Sequence, residues 1–445
     1  MSSSDPEIES TGGISRFLAI VSLMLAGEAI FGLPFHVSRY FRPAFVDVFD
    51  VTQTQLGLMG SLYGAIATVS YLLGGRLADR YSPRGLLCFS LVITGLSGIY
   101  MMTIPSRAGL FGLYAFWGAS TILPFWSALI RATRDWGGAV QQGRAFGMLD
   151  AGRGLLAAIL ATVALVLFSW TMPTESVDVS IAEKTRAIQI TILSYTSACF
   201  VAAVMVWLCL RSPRAGAASE TTGDLKMGDR SPWITVLRMP AVWFQAIVIV
   251  GAYCTFKGVD YYSQYARDIW GWSDVEASTL STVSSWMRPI AALSAGVLAD
   301  RFRPSRVVIA AFVIAAFASF SMAVMSPGDF AGADRIAAGS PLWLLWGTIL
   351  AGSLGIFALR GVYFALLEES HVPLHVTGTA VGVVSFIGYT PEIFMPLIGG
   401  WLIDRWDGEI TGYQVYFALL VAACCVGIVA AWALRRIART STPIH

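Results

Sequence analysis

Long apolar stretches, each about as long as a membrane-crossing helix, alternate with short polar breaks along almost the whole chain. A hydrocarbon core of about 30 Å takes about 20 helical residues to cross. Stretches of that length fall at 16–38, 54–75, 85–104, 108–131, 145–170 and 188–210. They return at 240–263, 276–298, 305–326, 342–366, 379–403 and 413–435. Between the two sets of six lies RSPRAGAASETTGDLKMGDRSPW, residues 211–233, the longest polar stretch of the chain. Its Ser, Gly, Ala and mixed charges predict a linker. The pattern predicts an all-α integral membrane protein: twelve transmembrane helices in two pseudo-symmetric six-helix bundles, 1–210 and 234–445, joined by 211–233.

Composition supports this. Of the 445 residues 56% are hydrophobic and 13% charged, against about 25% charged in a soluble chain, and mean hydropathy is +0.66. A net charge of +2 gives no field that would draw nucleic acid. Cys88, Cys199, Cys209, Cys254, Cys424 and Cys425 all sit in apolar runs without a CxxC pair, so neither a disulfide framework nor a metal centre is expected, and no cofactor. The start, MSSSDPEIESTGG, lacks the basic region of a cleavable signal, so the first apolar run reads as a retained span. With the N-terminus in the cytoplasm, inside loops carry roughly twice the Lys and Arg of outside loops, which predicts cytoplasmic termini in a cell (inner) membrane.

One short motif occurs twice. Gly75-Arg76-Leu77-Ala78-Asp79-Arg80-Tyr81-Ser82-Pro83 closes the second span, and Gly296-Val297-Leu298-Ala299-Asp300-Arg301-Phe302-Arg303-Pro304 closes the eighth. Both read G-x-L-A-D-R-aromatic-x-P. Glycine permits close helix approach, the Asp can face a helix N-terminus, the Arg anchors the chain inside, and the proline stops the helix. One copy could be a generic helix stop; two at matching points of two halves indicate duplication. A weaker echo pairs Gly143–Gly147 with Gly378–Gly382.

With these motifs the chain resembles the major facilitator superfamily over nearly its whole length. The resemblance implies two bundles rocking about a central cavity, no enzymatic activity, and a cytoplasmic latch carried by Gly75, Asp79, Arg80, Gly296, Asp300 and Arg301. The chain departs from the usual signature. Ser82 and Arg303 stand where glycine is usual, and Ser305 stands where the first copy has the basic Arg84. Tyr114 occupies the place of the span-four arginine, and span five, GMLDAGRGLLAAILATVA, lacks the glycine-proline signature of many drug/proton antiporters.

Ionisable residues within spans are expensive and mark function by default. Asp150 and Arg153 stand three apart at the start of span five, as an internal pair or a gate brace. Lys257 and Asp260, also three apart in span seven, read equally as a pair or as cavity lining among Tyr253, Tyr261 and Tyr262. Arg360 in span ten lies toward the cytoplasmic side. Glu28, Arg288 and Glu392 are mid-span with no opposite charge three or four positions away, so their partners come from another helix, the solute or water. Pro289 and Pro391 adjoin two of them and free backbone carbonyls, which is tolerated beside a wet cavity. The bland reading is a buried Glu–Arg bridge. The functional reading has Arg288, Lys257 and Arg360 attract an anionic group, with Tyr253, Tyr261, Trp286 and Trp126 packing on the solute and Glu28, Asp260 and Glu392 carrying protons.

The leading expectation is a secondary transporter that moves a small polar solute, an organic anion, by proton coupling in a lipid bilayer, acting as a monomer. The nitrate porters, with Arg in spans two and eight, and the organophosphate antiporters, with Arg in spans one and seven, match only partly: the repeat counterpart of Arg288 is Ala67, and spans one and seven carry Glu28 and Lys257. Two alternatives stay open: an exporter of hydrophobic or cationic compounds, and a transporter-like sensor without turnover. His371 and His375 could approach a metal on a helix, but Pro373 between them predicts a solvated loop.

Overall fold

The computed structural model describes residues 13–138, 141–172, 179–210, 232–326, 340–369 and 376–440. Most of the expected linker (211–231) and the loop with His371 and His375 lie outside them. Every regular element among the described residues is helical. Nine segments are long and apolar enough to cross a membrane, and Gln53–Arg80 (α4) adds a tenth, bent by 53° between its two parts. The remaining expected spans, 108–131 and 276–298, fall on two broken helix pairs.

Five spans are interrupted, and the interruptions place polar groups inside the molecule. The first runs as α1 (Gly13–Ala29), a π-turn at Gly32–His36 containing Pro34, and α2 (Val37–Tyr40). A short helix, α3 (Arg42–Phe49), follows it. Past α4 and α5 (Pro83–Met101), the fourth span breaks between α6 (Arg107–Ser120) and α7 (Trp126–Gly137), at Pro124. After α8 (Gln142–Thr171), α9 (Ile181–Cys209) and α10 (Pro232–Leu237), the seventh span is α11 (Pro240–Phe256), a 3₁₀ turn at Lys257–Tyr261, and α12 (Tyr262–Trp270). The eighth breaks at Trp286 between α13 (Asp274–Ser285) and α14 (Met287–Arg301). Unbroken α15 (Pro304–Val324) and α16 (Ser340–Val362) precede α17 (Leu366–Glu369). The eleventh breaks between α18 (Thr377–Gly388) and α19 (Pro391–Arg405), and α20 (Ile410–Thr440) ends the bundle. Proline lacks a backbone donor and its ring clashes with the preceding turn, so each proline-linked break is local in origin. The first and seventh spans extend past their expected ends at 38 and 263, to Tyr40 and Trp270.

The duplication extends well beyond the knots, the two G-x-L-A-D-R-aromatic-x-P copies at Gly75–Pro83 and Gly296–Pro304. Asp50 and Gly271 both end a short helix in the left-handed region, at φ 48° and 67°. Thr52 and Ser273 then open α4 and α13 with the same capping box, completed by Gln55 and Glu276. Core packing respects the halves. One cluster draws only on residues from Val236 to Leu434, and two others only on residues from Ile20 to Val206. Outside, large apolar side chains such as Trp170, Leu208, Phe317 and Val297 stand exposed, as a lipid-facing surface requires.

Two seams join the halves. In the first, α4 lies against α19 so closely that a Cβ on Gly57 would stand 2.2 Å from the Pro396 carbonyl oxygen, and one on Gly400 2.1 Å from that of Gln53. In the second, α8 packs on α13 and α14. There the Trp286 indole donates to Thr162 Oγ1 at 3.0 Å.

Candidate functional site

A cavity lies between the halves, with about 1190 Å³ of empty space once the open solvent at its mouth is included. Along α4 its wall runs from Tyr63 and Gly64 through Thr68 to Tyr71. Tyr71 is 39% exposed, so the cavity opens toward the end of the molecule that carries the two knots. Asp79, Arg80, Asp300 and Arg301 are exposed, and a Cβ on Gly75 or Gly296 would meet nothing within 4 Å. Ser305, at the departure from the signature, does a different job: its amide and hydroxyl bond to the Glu369 carboxylate at 2.7 and 2.8 Å.

At the cavity wall sits a carboxylate with three basic neighbours. Glu28 occupies the last turn of α1 and its side chain is 3% exposed. Arg288 Nη1, from the C-terminal half, donates to Glu28 Oε1 at 3.0 Å. His36 Nε2 lies 3.3 Å from the same oxygen. Two helical turns normally span about seven residues; the π-turn between Glu28 and His36 inserts one more, which brings the eighth onto the same face. Arg153 Nε approaches Glu28 Oε2 at 3.5 Å but donates to the Gly27 carbonyl at 2.9 Å. The rings of Phe31 and Trp126 lie 5.7 and 5.4 Å from the Arg153 guanidinium.

A second cluster sits deeper. Lys257 Nζ lies 2.8 Å from Glu392 Oε1 and 3.1 Å from Asp260 Oδ2, and is 2% exposed. Tyr253 donates its hydroxyl to Glu392 Oε2 at 2.7 Å. Arg39 Nε donates to Asp260 Oδ1 at 2.5 Å. These two residues are 221 positions apart, the same separation as Thr52 from Ser273, so repeat-equivalent positions carry opposite charges and meet between the halves. Arg360 faces the cavity with the Phe256 ring 4.0 Å from its guanidinium and that of Tyr253 at 5.7 Å. Among the described residues no carboxylate lies within ion-pair distance of it.

The far end is held shut by charges from both halves. Lys184 reaches Asp47 at 2.6 Å and Asp274 at 3.1 Å, and Arg267 reaches Asp47 at 2.9 Å and Asp274 at 3.6 Å. Signs alternate around this square, with two members from each half. Beside it Asp404 accepts from the amides of Gln53 and Thr54 at 3.1 and 2.6 Å, a carboxylate on the positive end of α4.

Several expectations change. Arg288 is paired across the halves with Glu28, one of the two mid-span glutamates open to it as a partner. Lys257 is enclosed by two carboxylates and lies behind the main cavity wall, because the 3₁₀ turn aims it toward Asp260. Asp260 is likewise drawn to the closed end by Arg39. Tyr261 packs on Tyr416 and donates to the Pro396 carbonyl, and Trp286 belongs to the seam. Asp150 and Arg153 do not form a tight pair: they stand 4.0 Å apart with Asp150 largely exposed, and Arg153 turns to the cavity. Glu28, Glu392, Tyr253, Trp126, Arg288 and Arg360 do line it.

Sequence reasoning missed His36, Arg39, Tyr71 and Tyr389, all of which line the cavity. Arg39 and Arg42 read as loop charges because the first span was ended at 38. The signal was the apolar continuation through Tyr40, Phe41, Phe45 and Phe49, all buried.

The family model described as Major Facilitator Superfamily matches residues 17–394 and 262–444. The chain is 24% identical over 415 residues to "Inner membrane protein YihN" of Escherichia coli, covering 92% of this chain and 93% of that one. It is 23% identical over 383 residues to "Hexuronate transporter" of Bacillus subtilis, covering 83% and 84%. A solved bacterial homologue of the human lysosomal transporter Spinster, described as inward-facing and occupied, superposes with a TM-score of 0.68 at 14% identity, over 99% of this chain and 98% of that one.

Proposed function

The chain belongs to the major facilitator superfamily, and from that premise we propose that it is a secondary transporter that carries a small organic anion by alternating access, coupled to protons. The observation that carries the reading is Glu28: a carboxylate of one half holds Arg288 of the other inside a cavity that also presents Arg39, Arg153 and Arg360 against Glu392. An incoming anion takes over Arg288, since a guanidinium binds a carboxylate, phosphate or sulfonate by the same paired geometry. Glu28 then loses its hydrogen-bonded counter-charge and keeps only the His36 imidazole at 3.3 Å and the 3.5 Å approach of Arg153, which turns to the Gly27 carbonyl. A buried carboxylate whose bonded counter-charge is withdrawn is neutralised by a proton rather than left ionised, so anion and proton load together.

The two ends supply the alternation. The knot end is open and the charge square shuts the far end. Closing the knots over a loaded cavity, with the square released, exposes the solute to the other side. The Lys and Arg bias places the knots and both termini in the cytoplasm. The relative named as an inner membrane protein supports that membrane, and the relative named as a hexuronate transporter supports an organic anion. The chain works as a monomer, each half supplying one side of the site.

Reconstitution in liposomes under an imposed pH gradient, with sugars, carboxylates, sulfonates and phosphates offered in turn, tests this. Proton movement that depends on an anionic solute is expected. Movement driven by neutral or cationic solutes, or by none, would reject the anion–proton reading.

A further inference from the structure

The fixed charges around the cavity do not cancel. Arg39, Arg153, Lys257, Arg288 and Arg360 are set against Glu28, Asp260 and Glu392. Arg42 and Asp404 meet on Gln53 and offset one another: Arg42 Nε donates to its side chain at 2.7 Å, and its amide donates to Asp404 at 3.1 Å. Asp150, 4.0 Å from Arg153, is 60% exposed and its charge is screened by water; among the described residues two positive charges remain in excess within the buried set, and the geometry says where. The Glu28 oxygen bonded to Arg288 leaves Arg153 with a 3.5 Å approach, and among the described residues the Arg153 terminal nitrogens donate no hydrogen bond. Among the described residues Arg360 meets aromatic faces and no carboxylate within ion-pair distance. Arg153 belongs to α8 of the N-terminal half and Arg360 to α16 of the C-terminal half, and both line the same cavity.

From this we infer that the transported solute carries two anionic groups, one bound by Arg288 with Arg153 and the other by Arg360. The inference rests on the anion reading above and narrows it. Burying unmatched charge in a low-dielectric cavity is costly, so a carrier that closes must lower its surplus. A monoanion arriving with one proton leaves the surplus at two, no better than the empty cavity. A dianion arriving with one proton brings it to one. A solute fixed at both ends also ties α8 to α16 across the opening, which gives binding a direct hold on closure. Phe256 and Trp126 flank the two binding points.

Pairs of ligands that differ in charge but hardly in shape test it: succinate against monomethyl succinate, and glutarate against monomethyl glutarate. Binding is measured by titration calorimetry at constant ionic strength, at a pH where both carboxyl groups of the diacids are ionised, on the purified full chain and on R360Q and R360K. A charge-assisted pair at Arg360 predicts dianions binding ~10-fold or more tighter than their monoanionic partners. R360Q should lower dianion affinity ~10-fold more than monoanion affinity and so erase that advantage, and R360K should keep part of it. Equal affinity for both members of each pair overturns the inference and leaves the anion reading standing. An equal loss for mono- and dianions in R360Q also overturns it, since Arg360 would then belong to a single anion site. If no anion binds the full chain, both the inference and the anion reading fall.

Discussion

The charge square at the closed end allows a quantitative prediction about Arg267. Its Nη2 stands 2.9 Å from Asp47 Oδ2, across the boundary between the halves. Coulomb's law at an effective dielectric of about 20 gives about 6 kcal/mol for unit charges at that separation. Solvent reaches 29% of the Arg267 side chain and 25% of Asp47, and desolvation and screening remove most of that value; exposed pairs are typically worth about 0.2–1 kcal/mol. Membership of a four-charge network raises the expected net to about 1.5 kcal/mol. This stabilises only the state in which the far end is shut, so Arg267→Gln should shift the balance between the two access states about tenfold toward far-end opening. Spin labels at Ala108 and Glu409, exposed near that end on opposite halves, report it by pulsed dipolar distance measurement in a background without the six native cysteines. The longer-distance population should grow about tenfold in R267Q over wild type, with a smaller gain at high salt, where the wild-type square is already weakened, and little further gain in Asp47→Asn/R267Q. A change of less than twofold, or full additivity in the double variant, would refute the reasoning that the square is the far-end latch.

Other expectations follow from the same geometry. Lys257→Met leaves the Asp260 and Glu392 carboxylates buried without their shared cation and should lower stability by about 3–5 kcal/mol; adding Glu392→Gln should recover a large part in thermal unfolding of purified protein, and failure of that recovery would show that Lys257 acts other than as their counter-ion. Gly400→Leu forces atoms into the Gln53 backbone, so about 1–3 kcal/mol of destabilisation is expected, with a matching drop in unfolding temperature. Trp286→Phe removes one hydrogen bond in the seam, and solute affinity should stay within about twofold; a tenfold loss in a binding titration would return Trp286 to the cavity.

The fold was legible because its cause is local and repeated. A run of apolar residues long enough for a bilayer has few alternatives to a helix, and the two knots announced the duplication without any knowledge of contacts. The charged candidates were also visible, since an ionisable residue inside an apolar run stands out. Their pairing was not. Glu28 and Arg288 are 260 positions apart, and nothing in either neighbourhood tells one carboxylate from another as partner. Lys257 looked like a solute ligand for the same reason: only the turn that rotates it toward Asp260 and Glu392 reveals its charge to be already matched. His36 escaped notice because helical periodicity puts position 36 off the face of Glu28, and the π-turn that restores it depends on packing around Pro34. Arg39 was lost to a boundary error of two residues.

The central claim is that solute and Glu28 exchange places on Arg288. Its most direct test follows uptake of an anion found to be transported, together with proton flux, in liposomes carrying wild type, Arg288→Ala or Glu28→Gln. We predict that R288A abolishes anion uptake, whereas E28Q still exchanges labelled for unlabelled anion across the membrane but no longer accumulates it against a gradient when a pH difference is imposed. Anion uptake surviving in R288A, or pH-driven accumulation surviving in E28Q, would contradict the account.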